Sequence, residues 1–227
     1  MSNYGVSLTV NASGAVKAAE AKNVVMVVDV IDMSTTLEAA LDAGALKVFG
    51  ASPDASKAPV TLAPEGIGEM AGRAAKEAGT AVIIISEPRV GTDEERRARA
   101  SKTIKGVIAA GGVIDAVYPN IGAETAKLGD FSEKVVVAVT DTGGVAYDAA
   151  VTAGAPAVIT GTIARTIKKR GSAPARAAAI RAISAARQAG TGISVVAASA
   201  NSLEDILAAE YIMRLIIEEG FTALGRK

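Results

Sequence analysis

The sequence predicts an α/β fold, a layered sheet with helices on both faces. Short β-branched runs alternate with Ala-rich stretches of helical period along the whole chain. Several runs, VVMVV and VVVAV among them, are apolar at every position, as strands covered on both faces must be. Gly, Pro and Ser fall where those helices should start and stop. A chain of 227 residues at 50% hydrophobic can bury a sizeable core. The expectation is one compact α/β domain over residues 1–227, with two closely packed α/β halves as the alternative.

The elements read as follows. VSLTV opens as a strand, and NVVMVVDVI is a second, ended by Asp29 and Asp32. Ser34 stands where an N-cap belongs for the helix STTLEAALDAGA, and LKVFG is the third strand. The stretch from Gly50 to Gly66, rich in Pro, Ser and Ala, reads as a mobile loop. Pro64 suits the first turn of PEGIGEMAGRAAKEAG, and Gly79 can close it. TAVIIIS is the next strand, followed by the helix DEERRARASKTIKGVIAAG, which Gly111 can close and whose charged opening reads as a solvated face. VIDAVY and KVVVAVT are strands, GGVAYDAAVTAG a helix, PAVIT a strand and RTIKKRG a short basic helix. SAPARAAAIRAISAARQAG, closed by Gly190, leads to the strand GISVVAA and a last helix, SLEDILAAEYIMRLIIEEG, capped by Ser202 and ended by Gly220. No internal repeat of fixed period is apparent.

Composition narrows the chemistry. There is no His and no Cys, which removes disulfides, thiolate catalysis, Ser-His systems and the usual zinc ligands. Carboxylates, hydroxyls, Lys, Arg, Tyr, backbone amides and a hard, oxygen-held cation remain. Basic and acidic residues balance at 24 each, and aromatics are 3%. Neither a nucleic-acid partner nor a stacking platform follows. MSNYGVSLTV lacks the pattern of a signal peptide, and no run approaches the roughly 18 apolar residues of a membrane span. A cytoplasmic protein with no membrane partner is expected. The Ala-rich helices would allow close packing inside the domain or across a subunit interface, and a homo-oligomer is expected by analogy with soluble enzymes.

Three strand ends carry candidate chemistry, since open α/β sheets bind ligands beyond the carboxyl ends of their strands. Asp29 and Asp32 precede Ser34, Thr35 and Thr36. Two carboxylates beside helix amides could cradle a metal ion and an oxyanion, and equally Asp32 or Ser34 could cap the helix while Asp29 bonds locally. Asp141, Thr142, Gly143 and Gly144 repeat the layout, the glycines serving close approach or a tight turn. Ser202, Glu204 and Asp205 form the third, where acidic residues also suit a helix N-terminus without any function.

Taken in order, VVDVIDMSTTLEAALDAGALKV, PEGIGEMAGRAAKEAGTAVIIISEPRVG, YPNIGAE, VVVAVTDTGG and ISVVAASANSLEDILAAEYIMRLI resemble the 2-phosphosulfolactate phosphatase family. Each motif is soft, and their shared order over most of the chain carries the resemblance. It implies a Mg²⁺-dependent phosphomonoester hydrolase, with Asp29, Glu204 and Asp205 as metal or catalytic carboxylates. Ser34 and Asp29 stand as alternative nucleophiles beside metal-activated water. Asp32, Thr35, Thr36, Glu87, Arg89, Thr142, Gly143 and Gly144 would bind a small anionic or phosphorylated metabolite. The family's opening motif has an arginine where this chain has Asp32, which replaces a bidentate anion fork by a negative charge. Arg165, with Lys168 or Lys169, is expected to take over part of the anion grip; the alternative is a basic helix end in solvent. The substrate is therefore expected to differ from 2-phosphosulfolactate. A relative that has lost catalysis and binds a small ligand or supports assembly is the competing reading.

Overall fold

A computed structural model describes residues 5–222, so the opening MSNY lies outside the described residues. The protein is α/β with two four-stranded sheets, every strand pair parallel. The strands are β1 (Val6–Val10), β2 (Val24–Val28), β3 (Lys47–Ala51), β4 (Val82–Ser86), β5 (Ile114–Pro119), β6 (Val135–Val139), β7 (Val158–Gly161) and β8 (Ile193–Ala197). The helices are α1 (Asn11–Glu20), α2 (Met33–Asp42), α3 (Pro64–Glu77), α4 (Asp93–Arg99), α5 (Ser101–Ala109), α6 (Gly143–Thr152), α7 (Ala173–Ala189) and α8 (Leu203–Glu218), with a 3₁₀ helix at Gly122–Lys127.

One sheet runs β1-β8-β2-β7 and the other β3-β6-β4-β5. β2, β4, β6 and β8 are buried at every residue, as their apolar runs require. Successive side chains of β2 leave on opposite faces. Val25 and Val27 join a core shared with β3, β4, β6, α2 and α6, while Val24, Met26 and Val28 pack with α7 and α8. Helices α2 and α6 thus form a layer between the sheets, touching strands of both.

The two sheets are copies of one topology. Matching β7, β2, β8, β1 to β3, β6, β4, β5 preserves strand order, and each copy's connections correspond: α7 to α3, α8 to α4 and α5, α1 to the 3₁₀ helix, α2 to α6. Along the sequence one copy is continuous, from β3 to α6, and the other is split, with β1 and β2 early in the chain and β7 and β8 late. Left-handed residues recur in step. Lys22 pairs with Glu133, both at φ 58°, Gly44 with Gly154, Gly79 with Gly190 and Gly111 with Gly220, a separation of about 110 positions. The sequence signal is sparse, EAGTAVIIIS against QAGTGISVVA.

Three elements differ from the sequence reading. The basic stretch RTIKKRG is a turn, because Thr166, the Lys168 amide and Lys169 all close on Asp42 at the end of α2. The charged helix is broken between α4 and α5 at Ala100. The Gly50–Gly66 stretch is packed, with Val60 and Leu62 against Ala12, Val145 and Ala149, and Asp148 accepting from Ser52 Oγ and Ala63 N. Helix α1, which begins at left-handed Asn11, was not foreseen. Among the described residues no helix is long and apolar enough to cross a membrane.

Candidate functional site

Parallel strands put all carboxyl ends of a sheet on one side, and the ends of β2 and β6 adjoin. Asp29, one residue past β2, shows this directly. Its Oδ2 accepts from Thr142 Oγ1 at 2.8 Å and Gly143 N at 2.7 Å, both at the start of α6, and its Oδ1 accepts from Asp32 N at 3.0 Å. A carboxylate from one copy therefore caps a helix of the other. Gly143 has no side chain because a Cβ there would stand 2.4 Å from Asp29 Oδ2. Gly144 lies against Ala51 O, which a Cβ would meet at 2.0 Å. Both glycines have helical backbones, so they serve close approach of protein atoms.

A cleft of about 230 Å³ opens at this junction, lined by Asp29, Ile31, Asp32, Thr142, Ser199 and Asn201, and by Ser202, Glu204 and Asp205 at the start of α8. Ser202 Oγ accepts from Asp205 N at 3.3 Å, and Asp205 Oδ1 accepts from Val30 N at 2.8 Å. The duplicate helix start is an internal control. There Thr92 and Glu95 close a complete capping box, each side chain accepting from the other's backbone. Asp205 has left that duty to reach across to the β2–α2 loop. Burial pushes Asp205 up to about 6, with the charge of Asp29 adding to it against bonds from Val30 and Ser202. Burial likewise raises Asp29, with Asp32's charge adding, against bonds from Thr142, Asp32 N and Gly143.

Charged groups crowd the adjoining rim. Arg89 donates to Asp32 Oδ1 at 2.9 Å, and Arg99 Nη2 pairs with Asp141 and, at 3.5 Å, with Glu87. Burial first, then the charge of Asp32, raises Glu87. Floor and rim together hold Asp29, Asp32, Glu87, Asp141, Glu204 and Asp205 against Arg89 and Arg99, an acidic excess.

The remaining sequence candidates sit elsewhere. Ser34 is fully buried, donating to Val27 O and accepting from Asp29 N, both at 3.0 Å. Thr35 donates to Val30 O and meets Thr162 Oγ1, and Thr36 lies between Asp32 O and Asn120 Oδ1. The hydroxyl run locks the β2–α2 turn and does not face the cleft. Arg165 pairs with Glu124 of the 3₁₀ helix, and Lys169 with Asp42 at the far end of α2, nearly three helical turns from Asp32. Asn120 and Arg99 were passed over, although Asn120 is wholly buried beside Thr36. Arg99 lay inside a stretch read as a solvated face.

The donor set can be weighed for a hard cation. Among the described residues no three carboxylates gather closely enough for a protein-only cage. Mg²⁺ is commonly held by one or two carboxylates with water and substrate phosphate completing the octahedron. Glu204, exposed, and Asp205, reaching into the cleft wall, supply oxygen donors of that kind. Asp29 retains little capacity beyond its three bonds. A larger depression of about 610 Å³ on α4 and α5 is lined by Ala98, Ile104, Ile108 and Ala109 with Arg97, Ser101 and Lys105, and Ser101 Oγ there donates to Asp54. No protein-family model matches the chain, and the search of curated proteins gives no match.

Proposed function

We propose that the chain is a Mg²⁺-dependent hydrolase of a small phosphomonoester other than 2-phosphosulfolactate, on a 2-phosphosulfolactate-phosphatase-like fold. The observation that carries this reading is the convergence of Asp29, Asp32, Glu204 and Asp205 on one cleft past the ends of β2, β6 and β8, with Arg89 bonded to Asp32 on its rim. The acidic excess would repel a phosphate dianion unless a cation came with it. Bound Mg²⁺ would neutralise phosphate charge and stabilise the leaving oxygen. Glu204 and Asp205 would hold the ion. Asp29, almost fully buried and bonded to three donors, orients Thr142 and the start of α6. Arg89 and Arg99 stand where guanidinium forks can take phosphate oxygens. The cleft's size suits a small head group, and Ser199 and Asn201 supply polar contacts to its remainder.

The competing reading, a small-ligand-binding or assembly protein without catalysis, is favoured by the internal neutralisation of both arginines through Asp32, Glu87 and Asp141. Calorimetric titration with Mg²⁺ separates the two. Saturable binding that weakens at least tenfold in Glu204→Gln and Asp205→Asn supports the hydrolase. Absence of Mg²⁺ binding, with or without inorganic phosphate, removes it.

A further inference from the structure

We propose that Arg96 is a positioning residue that fixes the loop carrying Glu87 and Arg89, so that Arg89 is delivered to the cleft as a preset anion contact. Arg96 is buried, with 6% of its surface exposed, on a helix whose neighbouring charges are in solvent. Its Nε donates to Pro88 O at 3.0 Å, and its Nη2 donates to Arg89 O at 3.2 Å and Gly91 O at 3.1 Å. Nη1 donates to Asp93 Oδ1 at 3.0 Å, which ties the guanidinium to the first turn of α4. One side chain thus gathers three carbonyls of a loop that otherwise returns few backbone bonds. Each of those carbonyls would need another donor if the guanidinium were removed.

Two comparisons inside the molecule say that the fold alone does not call for an arginine here. The matching helix start in the other copy has Ile206 at this place, packed among apolar neighbours of α7 and α8. The Thr92–Glu95 capping box already satisfies the first turn of α4. What the Arg96 fork adds is the course of residues 88–91, which directs Arg89 toward Asp32 at the cleft. A lysine has the charge but cannot fork to three acceptors from one plane.

The role of Arg89 as an anion contact rests on the phosphatase reading, whereas the ordering of the loop does not, and two readouts keep them apart. Backbone amide ¹⁵N order parameters over residues 89–92 and the Kd of inorganic phosphate with Mg²⁺ are measured for wild type, Arg89→Ala, Arg96→Met, Arg96→Lys and the Arg89→Ala/Arg96→Met double variant. The loop order parameters should fall from the rigid range near about 0.85 to below about 0.6 in Arg96→Met while those of β4 and α5 stay unchanged, and Arg96→Lys should not restore them. Phosphate should bind about tenfold more weakly in Arg89→Ala and in Arg96→Met, with no further loss in the double variant. Unchanged loop order parameters in Arg96→Met, or restoration by Arg96→Lys, overturns the proposal. Additive losses of phosphate affinity overturn it as well, because Arg96 would then act without Arg89. If wild type binds no phosphate but the loop still loosens, the phosphatase reading falls and the ordering role of Arg96 stands.

Discussion

Truncating Asp29 should cost far more stability than neutralising it. Asp29→Ala strips three donors of their acceptor, and one of them, Gly143 N, is a buried amide in the first turn of α6. Leaving such a donor unmatched costs about 1–3 kcal/mol, and loss of the other two bonds adds roughly 1 kcal/mol each. Removing a carboxylate from a helix N-terminus adds about 0.3–1 kcal/mol. Against this, burial raises the Asp29 carboxyl, so its ionised form is already disfavoured in the fold and part of the loss is returned. The balance is a loss of about 3–5 kcal/mol for Asp29→Ala. Asp29→Asn should lose only about 1–2 kcal/mol, since an amide oxygen can keep Thr142 and Gly143 while its NH₂ faces Asp32 N–H. Urea unfolding at constant m reads both values from the midpoint shift. A loss under about 1 kcal/mol for Asp29→Ala, or equal losses for the two variants, would refute the cross-brace between the copies.

Further expectations follow the same geometry. Asp205 has a folded-state pKa of about 6, above its value in the unfolded chain, so the stability it contributes is complete below about pH 4 and is lost as pH rises to 6. Unfolding free energies across pH 4–7 should therefore fall less steeply in Asp205→Asn; at 1.4 kcal/mol per pKa unit the difference has a ceiling of ~3 kcal/mol, reduced by solvent at the cleft wall, and identical profiles would contradict it. Gly106→Ala should destabilise, because its Cβ would stand 2.0 Å from Glu65 O where α3 and α5 cross. Overpacking of about 1–3 kcal/mol outweighs the better helix propensity of Ala, and chemical denaturation gives the sign. Lys22→Gly and Glu133→Gly should each raise stability by roughly 0.5 kcal/mol, since relief of a left-handed backbone slightly exceeds the added freedom of the unfolded chain. Unequal responses would argue against equivalent turns in the two copies.

All eight strands were legible in the sequence: β2, β4, β6 and β8, buried at every residue, cannot hide their apolar runs, and the partly exposed β1, β3, β5 and β7 still show β-branched runs between turn signals. Helix ends at Gly79 and Gly190 were legible for a similar reason, since each needs a left-handed residue. The site was less legible. Ser34, Thr35 and Thr36 read equally as an anion cradle or as a turn lock, and only coordinates show their hydroxyls bonded to Val27, Val30 and Asp32 carbonyls. Asp29, Asp32, Thr142, Glu204 and Asp205 do come to one cleft, whereas Arg165 and Lys169 lie outside it, paired with acids from other elements. Arg96 and Arg99 were hidden by their neighbours, for a run of alternating charge does not reveal which side chain turns inward. The duplication is faint in the sequence because its copies share few identities and the elements of one are split between the two ends of the described order.

The most direct test of the central claim is phosphate release from a panel of small phosphomonoesters, with and without Mg²⁺, by wild type and Glu204→Gln. Glu204 is exposed and outside the core, so its variant should fold as wild type does. Mg²⁺-dependent turnover that Glu204→Gln reduces by at least tenfold is the result expected of the hydrolase. No turnover on any ester, or turnover indifferent to Mg²⁺ and to Glu204, would contradict it.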